Sequence, residues 1–86
     1  MQTLPSAVHP HIVRDPEIVG GSPTIRGTRV PVRAVACLWR ATNDRDLIMR
    51  NYPHLSAEDV DAALGYYAKH RAEIDAELLA EEQASD

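Results

Sequence analysis

Arginine is the residue whose placement carries the most chemistry in this chain. Seven of them, Arg14, Arg26, Arg29, Arg33, Arg40, Arg45 and Arg50, fall before residue 51. A guanidinium binds phosphate or carboxylate through two parallel hydrogen bonds and keeps its charge at physiological pH. Arg26 and Arg29 flank Gly27-Thr28 in a segment rich in turn residues, and a glycine lets backbone approach a ligand closely. Two readings of this pair stay open. One is contact with a DNA backbone; the other is ion pairing to Asp15, Glu17 or the acidic C-terminal stretch, which would hold the segment down. Arg33 and Arg40 lie seven residues apart, on one face of a helix, and Arg45 and Arg50 sit on the next predicted helix. The candidate DNA contacts are Arg26, Arg29, Arg33, Arg45 and Arg50.

The C-terminal third has the opposite character. Residues 56–86 hold nine acids against Lys69 and Arg71, whereas residues 1–55 hold the seven arginines against four acids. The two balances, −7 and +3, give the net charge of −4. A basic stretch joined to an acidic one suggests two partner surfaces, or simply two solvated faces of one domain. Ile74, Leu78 and Leu79 stand among Glu73, Asp75, Glu77, Glu81 and Glu82. They form a candidate amphipathic anchor for a groove on a partner protein. A dimer helix and a solvated tail are the alternatives.

Other chemistries find little support. His9 and His11 form an H-x-H near the N-terminus, with His54 and His70 far off. A zinc site needs three or four convergent ligands, and this spacing offers none. No nucleophile–base pair or phosphate-binding glycine loop stands out, and Asp59 and Asp61 point apart on one helix. The expectation is a protein with no catalytic residues, no metal and no cofactor. The lone Cys37, in an apolar run, reads as a buried small hydrophobe. No apolar stretch approaches bilayer-spanning length, and MQTLPSAVHPH lacks the pattern of a secretion signal. The expected location is cytoplasmic.

At 86 residues the chain has room for one domain, and with no Phe and one Trp its core must be aliphatic. Residues 1–10 read as a flexible arm, 11–82 as the domain and 83–86 as a frayed tail. Within 11–31 the breakers Asp15-Pro16, Gly20-Gly21, Pro23, Gly27 and Pro31 separate short β-prone pieces at Ile12-Val13, Thr24-Ile25-Arg26 and Thr28-Arg29-Val30. That pattern predicts a small β element, with Gly27 at a bulge. Pro31 suits the start of a helix over 32–41. That helix is apolar nearly all round and needs covering on several sides. Asp44 caps a short second helix at 45–51, and Ser56 with Asp59 forms a capping box for a third. Val60, Leu64, Tyr67, Arg71, Ile74 and Leu78 then recur at spacings of four and three, which predicts one long C-terminal helix. Two short helices joined by a tight turn suggest a helix-turn-helix.

Two segments resemble a known family. Ile18-Val19-Gly20-Gly21-Ser22-Pro23-Thr24-Ile25-Arg26-Gly27-Thr28-Arg29-Val30-Pro31-Val32 is similar to the opening signature of the domain of unknown function 433 family. Asn51-Tyr52-Pro53-His54-Leu55-Ser56, with Glu58-Asp59-Val60 and Ala62-Ala63-Leu64, resembles its second signature. The resemblance implies a mainly α fold: a short N-terminal β element followed by a three-helix, homeodomain-like helix-turn-helix domain with a long C-terminal helix. It also implies a VapB-like antitoxin of a type II toxin–antitoxin module. Such a protein neutralises a PIN-like ribonuclease toxin by direct binding, pairs as a homodimer, and represses its own operon by holding operator DNA. Three positions depart from the family pattern: Ser22 for a frequent Lys, Thr42 for a helix-ending Gly, and Leu47 for a frequent acid. Against DNA binding stand Glu58, Asp59 and Asp61 at the start of the reading helix, where phosphates would approach. A protein-interaction or dimerisation module without DNA binding, and a stand-alone transcription regulator, are the competing expectations.

Overall fold

The computed structural model describes residues 6–9 and 11–84; the expectations for residues 1–5, 10, 85 and 86 lie outside it. Strand β1 (Ser6–His9) pairs antiparallel with β2 (Ile12–Arg14), which pairs antiparallel with β3 (Thr24–Ile25). Part of the expected arm is thus the edge strand of a three-stranded sheet. Between β2 and β3 the chain makes a short 3₁₀ turn at Val19–Gly21, where both glycines take positive φ. Val19 also sits at φ 51°, a conformation that a β-branched side chain adopts only under strain.

Four helices follow among the described residues: α1 (Val32–Thr42), α2 (Arg45–Asn51), α3 (Ala57–Lys69) and α4 (Arg71–Ala84). The chain is mainly α with a short N-terminal β element, as its patterning implied. The helix starts follow local chemistry. Asp44 accepts from the Leu47 N–H at 3.1 Å. Ser56 and Asp59 close their capping box with two bonds of 3.1 Å. Thr42, in place of a helix-ending glycine, leaves the reversal to Asn43. That residue takes a left-handed φ of 53° and donates its N–H to the Trp39 carbonyl at 2.7 Å. Asn tolerates this conformation better than most residues.

The expected long third helix is two helices. At His70 the backbone leaves helical geometry (φ −128°, ψ 41°), and its N–H is shared between the Tyr66 and Tyr67 carbonyls. The apolar spacing runs on through this break, so periodicity alone could not reveal it. The consequence is that α4 folds back beside α1. Arg33 lies against Glu77 and Glu81, and Arg40 against Asp75, so the two helices run antiparallel.

The core lies where β2 and β3 meet α1, α2 and α3. Ile12, Ile25, Val32, Val35, Ala36, Ile48, Val60 and Ala63 are fully buried there. Ile74 of α4 joins them at 0% exposure, and Leu78 packs against the same cluster. Of these two residues, expected to anchor a partner, Ile74 belongs to the chain's own interior and Leu78 is half-buried against it. Trp39 packs on the cluster from its edge. Cys37 is exposed on α1, contrary to its reading as a buried hydrophobe. Truncating Ile74 to Ala should lower unfolding free energy by about 2–5 kcal/mol, the cost of a cavity at a fully packed site. Urea denaturation measures it; a loss below about 1 kcal/mol would mean that α4 is not part of the core.

Candidate functional site

The turn after β3 is built to present two arginines. The Thr28 N–H reaches the Ile25 carbonyl at 3.0 Å, and Gly27 sits at φ 78°. Positive φ at the third position alone is the pattern of a type II turn, which glycine fills without strain. Gly27 therefore belongs to a turn rather than to the expected bulge. The Ile25 N–H bonds the Val30 carbonyl at 3.0 Å and closes the loop. The Thr28 hydroxyl pins it from inside, donating to the Ile25 carbonyl at 2.8 Å and accepting from the Val30 N–H at 3.0 Å. Arg26 and Arg29 are exposed at its rim, and neither side chain has an ion pair among the described residues. The same holds for Arg50 in the last turn of α2.

The remaining candidate cations are engaged. Arg45 grips Asp61 of α3 with both ends of its fork, Nε to Oδ1 at 2.7 Å and a terminal nitrogen to Oδ2 at 3.0 Å. Those hydrogen bonds hold the Asp61 carboxyl below its ordinary range and raise the Arg45 guanidinium. Arg33 is mostly covered, with Glu81 at 3.2 Å and Glu77 at 3.8 Å. Arg14 and Arg40, outside the candidate set, meet Glu73 and Asp75 of α4. Of the five candidate DNA contacts, three are open to a ligand and two are held by the chain's own carboxylates.

Sequence reasoning missed the polar network at the α3–α4 break. Arg14 donates to the Tyr66 hydroxyl at 3.0 Å and to Glu73 Oε2, while Tyr66 donates to Glu73 Oε1 at 2.8 Å. The His70 ring stacks on Tyr66 with centroids 4.2 Å apart. Beside it, Tyr67 donates to Asp75 at 2.7 Å, and the Arg71 guanidinium lies 5.3 Å from the Tyr67 ring centroid. Two adjacent tyrosines ahead of an acid-rich helix were the available signal. Which acid each would meet depends on the chain reversal at His70. This network ties strand β2, α3 and α4 together.

The outer face of α3 bears on what the site can do. Glu58, Asp61, Gly65 and Ala68 are exposed along it, with Lys69 at its end. Asp59 is occupied by the capping box and Asp61 by Arg45. The acids at this helix start are thus partly neutralised, yet the face offers few donors to base edges. Among the described residues no three His, Cys, Asp or Glu side chains form a metal-binding group, and no helix is long and apolar enough to cross a membrane.

Acid should loosen the α4 attachment. Burial alone would raise the Glu73 carboxyl, but hydrogen bonds from Tyr66 and Arg14 outweigh it and hold the group below its ordinary value of 4.5. A carboxyl depressed in the folded state contributes stability above its unfolded value, and that contribution is lost as pH falls through the folded value. Urea midpoints should therefore drop as pH falls below about 4.5, and Arg14→Gln should flatten that acid limb. An unchanged acid limb in the variant would contradict the network's role.

Comparison with known proteins places this architecture. The family described as "Protein of unknown function (DUF433)" matches residues 12–67. A crystal structure of a DUF433 member protein from Anabaena variabilis superposes with a TM-score of 0.74 at 35% identity, over 80% of this chain and 68% of that one. The uncharacterized protein y4eO of Sinorhizobium fredii is 38% identical over 55 residues, 64% of this chain. The match spans 25% of that protein's length, so y4eO is much the longer of the two. The match over most of the described chain, together with the shared fold, makes this protein a member of the DUF433 family.

Proposed function

We propose that this chain is the antitoxin of a type II toxin–antitoxin module, a cytoplasmic homodimer that neutralises a PIN-like ribonuclease by direct binding. In the same reading it represses its own operon by holding operator DNA. The observation that carries the DNA arm is the set of exposed arginines Arg26, Arg29 and Arg50, which have no ion pair among the described residues. Guanidinium groups in that state bind phosphodiester oxygens and release counterions. Arg33 and Arg45 act chiefly inside the fold. With Ile74 in the core and Leu78 half-buried against it, Leu79, 53% exposed, is the member of the proposed anchor most open to the toxin.

A specific observation favours the competing reading, an interaction module without DNA binding. The exposed face of α3 carries Glu58, Asp61, Gly65 and Ala68, a poor surface for reading bases. Two measurements separate the readings. Co-expression with the protein encoded beside it, tagging only this chain, should give co-purification and relief of growth arrest; a harmless, unbound neighbour would end the antitoxin reading. Binding to its promoter DNA should weaken with salt by a log–log slope of about −2 to −3, one unit per open arginine. Replacing Arg26, Arg29 and Arg50 with Gln should flatten it. A wild-type affinity independent of salt leaves the interaction module.

A further inference from the structure

The acids of α4 lie over a cation that would otherwise face solvent. Glu77 and Glu81 cover Arg33, whose side chain is left only 18% exposed. The arrangement is uneven along the helix. Ile74, in the first turns, is fully buried. Past the half-buried Leu78, residues 79–83 are all exposed. Contacts of Glu77 and Glu81 with Arg33 hold the distal half of α4 onto α1, with Leu78 at its base.

That half is a poor helix on its own account. Glu73, Glu77 and Glu81 follow one another at four-residue intervals, so like charges stack along one face. No basic residue stands in the last turn, and Glu81 and Glu82 add charge to the negative end of the helix dipole. The hold on Arg33 is also incomplete. Glu77 meets it at 3.8 Å, too far for a hydrogen bond, and the buried Glu77 Oε1 has no hydrogen-bond partner among the described residues. A carboxylate oxygen removed from water without a donor favours opening. Helix ends with few buried contacts open at low cost, and Ile74 can stay in place when they do.

We infer that residues 77–83 form an acidic strap over a phosphate-binding position at Arg33, and that a phosphodiester backbone competes with the strap for that guanidinium. Strap closure and phosphate binding at Arg33 are mutually exclusive, so each weakens the other by the same factor. The open turn at Arg26 and Arg29 supplies the first contacts, and Arg33 enlarges them when the strap lifts. This rests on the DNA-binding reading for its ligand but concerns a different residue.

The test uses the full chain and a short random-sequence DNA duplex, with affinity followed by fluorescence anisotropy from about 50 to 200 mM salt. The strap variant Glu77→Gln/Glu81→Gln is compared with Glu17→Gln/Asp46→Asn, which changes net charge equally without touching Arg33. The strap variant should steepen the log–log salt slope by about 0.9, one added phosphate contact. The control should leave the slope at the wild-type value, and adding Arg33→Gln to the strap variant should abolish the gain. Equal behaviour of strap and control variants, with wild type still binding, overturns the strap and leaves the DNA reading standing. An Arg33-dependent slope in the strap variant, with no binding by wild type, supports the strap and removes the role of Arg26, Arg29 and Arg50. No binding by any variant removes both.

Discussion

The tie between α4 and the rest of the domain decides how every charge in this protein is used. Ile74 enters the core beside the Arg14–Tyr66–Glu73 network, and that docking point brings an acidic helix antiparallel to α1. Arg14, Arg33 and Arg40 thereby acquire carboxylate partners from a segment 35 residues or more further along the chain. Each such pair near the surface contributes little by itself, on the order of 1 kcal/mol or less. Ile74 supplies most of the attachment, through buried apolar area. The ion pairs set orientation and register more than they set strength.

With those arginines committed, the open charge among the candidate DNA contacts narrows to the Arg26–Arg29 turn and Arg50. The turn is rigid for local reasons, since Gly27 takes the positive φ and the Thr28 hydroxyl bonds both sides of the loop. A fixed turn backbone leaves only side-chain freedom to be lost when its two guanidiniums meet an anion. The same economy explains Arg45. Its fork on Asp61 braces α2 against α3 and quiets one of the acids that would repel a polyanion.

What could be read from the sequence divides by distance along the chain. Caps at Asp44 and Ser56, the turn residues around Gly27 and the helix start after Pro31 depend on neighbours within four residues, and the chain shows them directly. The break at His70 was hidden because the four-and-three spacing of Tyr67, Arg71, Ile74 and Leu78 continues across it. Once that break is missed, the acidic helix looks like a free arm, and the fates of Ile74, Leu78 and Arg33 are misread together. The exposure of Cys37 was hidden for a different reason. An all-round apolar helix does not reveal which side its neighbours leave uncovered. The candidate contacts at Arg26, Arg29 and Arg50 were legible by residue type. That they have no ion pair among the described residues followed only from seeing which acids went elsewhere.

Arg33 holds the distal half of the acidic helix through Glu77 and Glu81. Amide hydrogen exchange along α4, comparing wild type with Arg33→Gln, tests it most directly. Loss of the Arg33 contacts should speed exchange of the amides at residues 79–83 by about five-fold, the weight of roughly one exposed ion pair. Amides around Ile74 should keep their protection. Unchanged exchange in the distal half, or equal loss of protection throughout α3 and α4, would contradict the account.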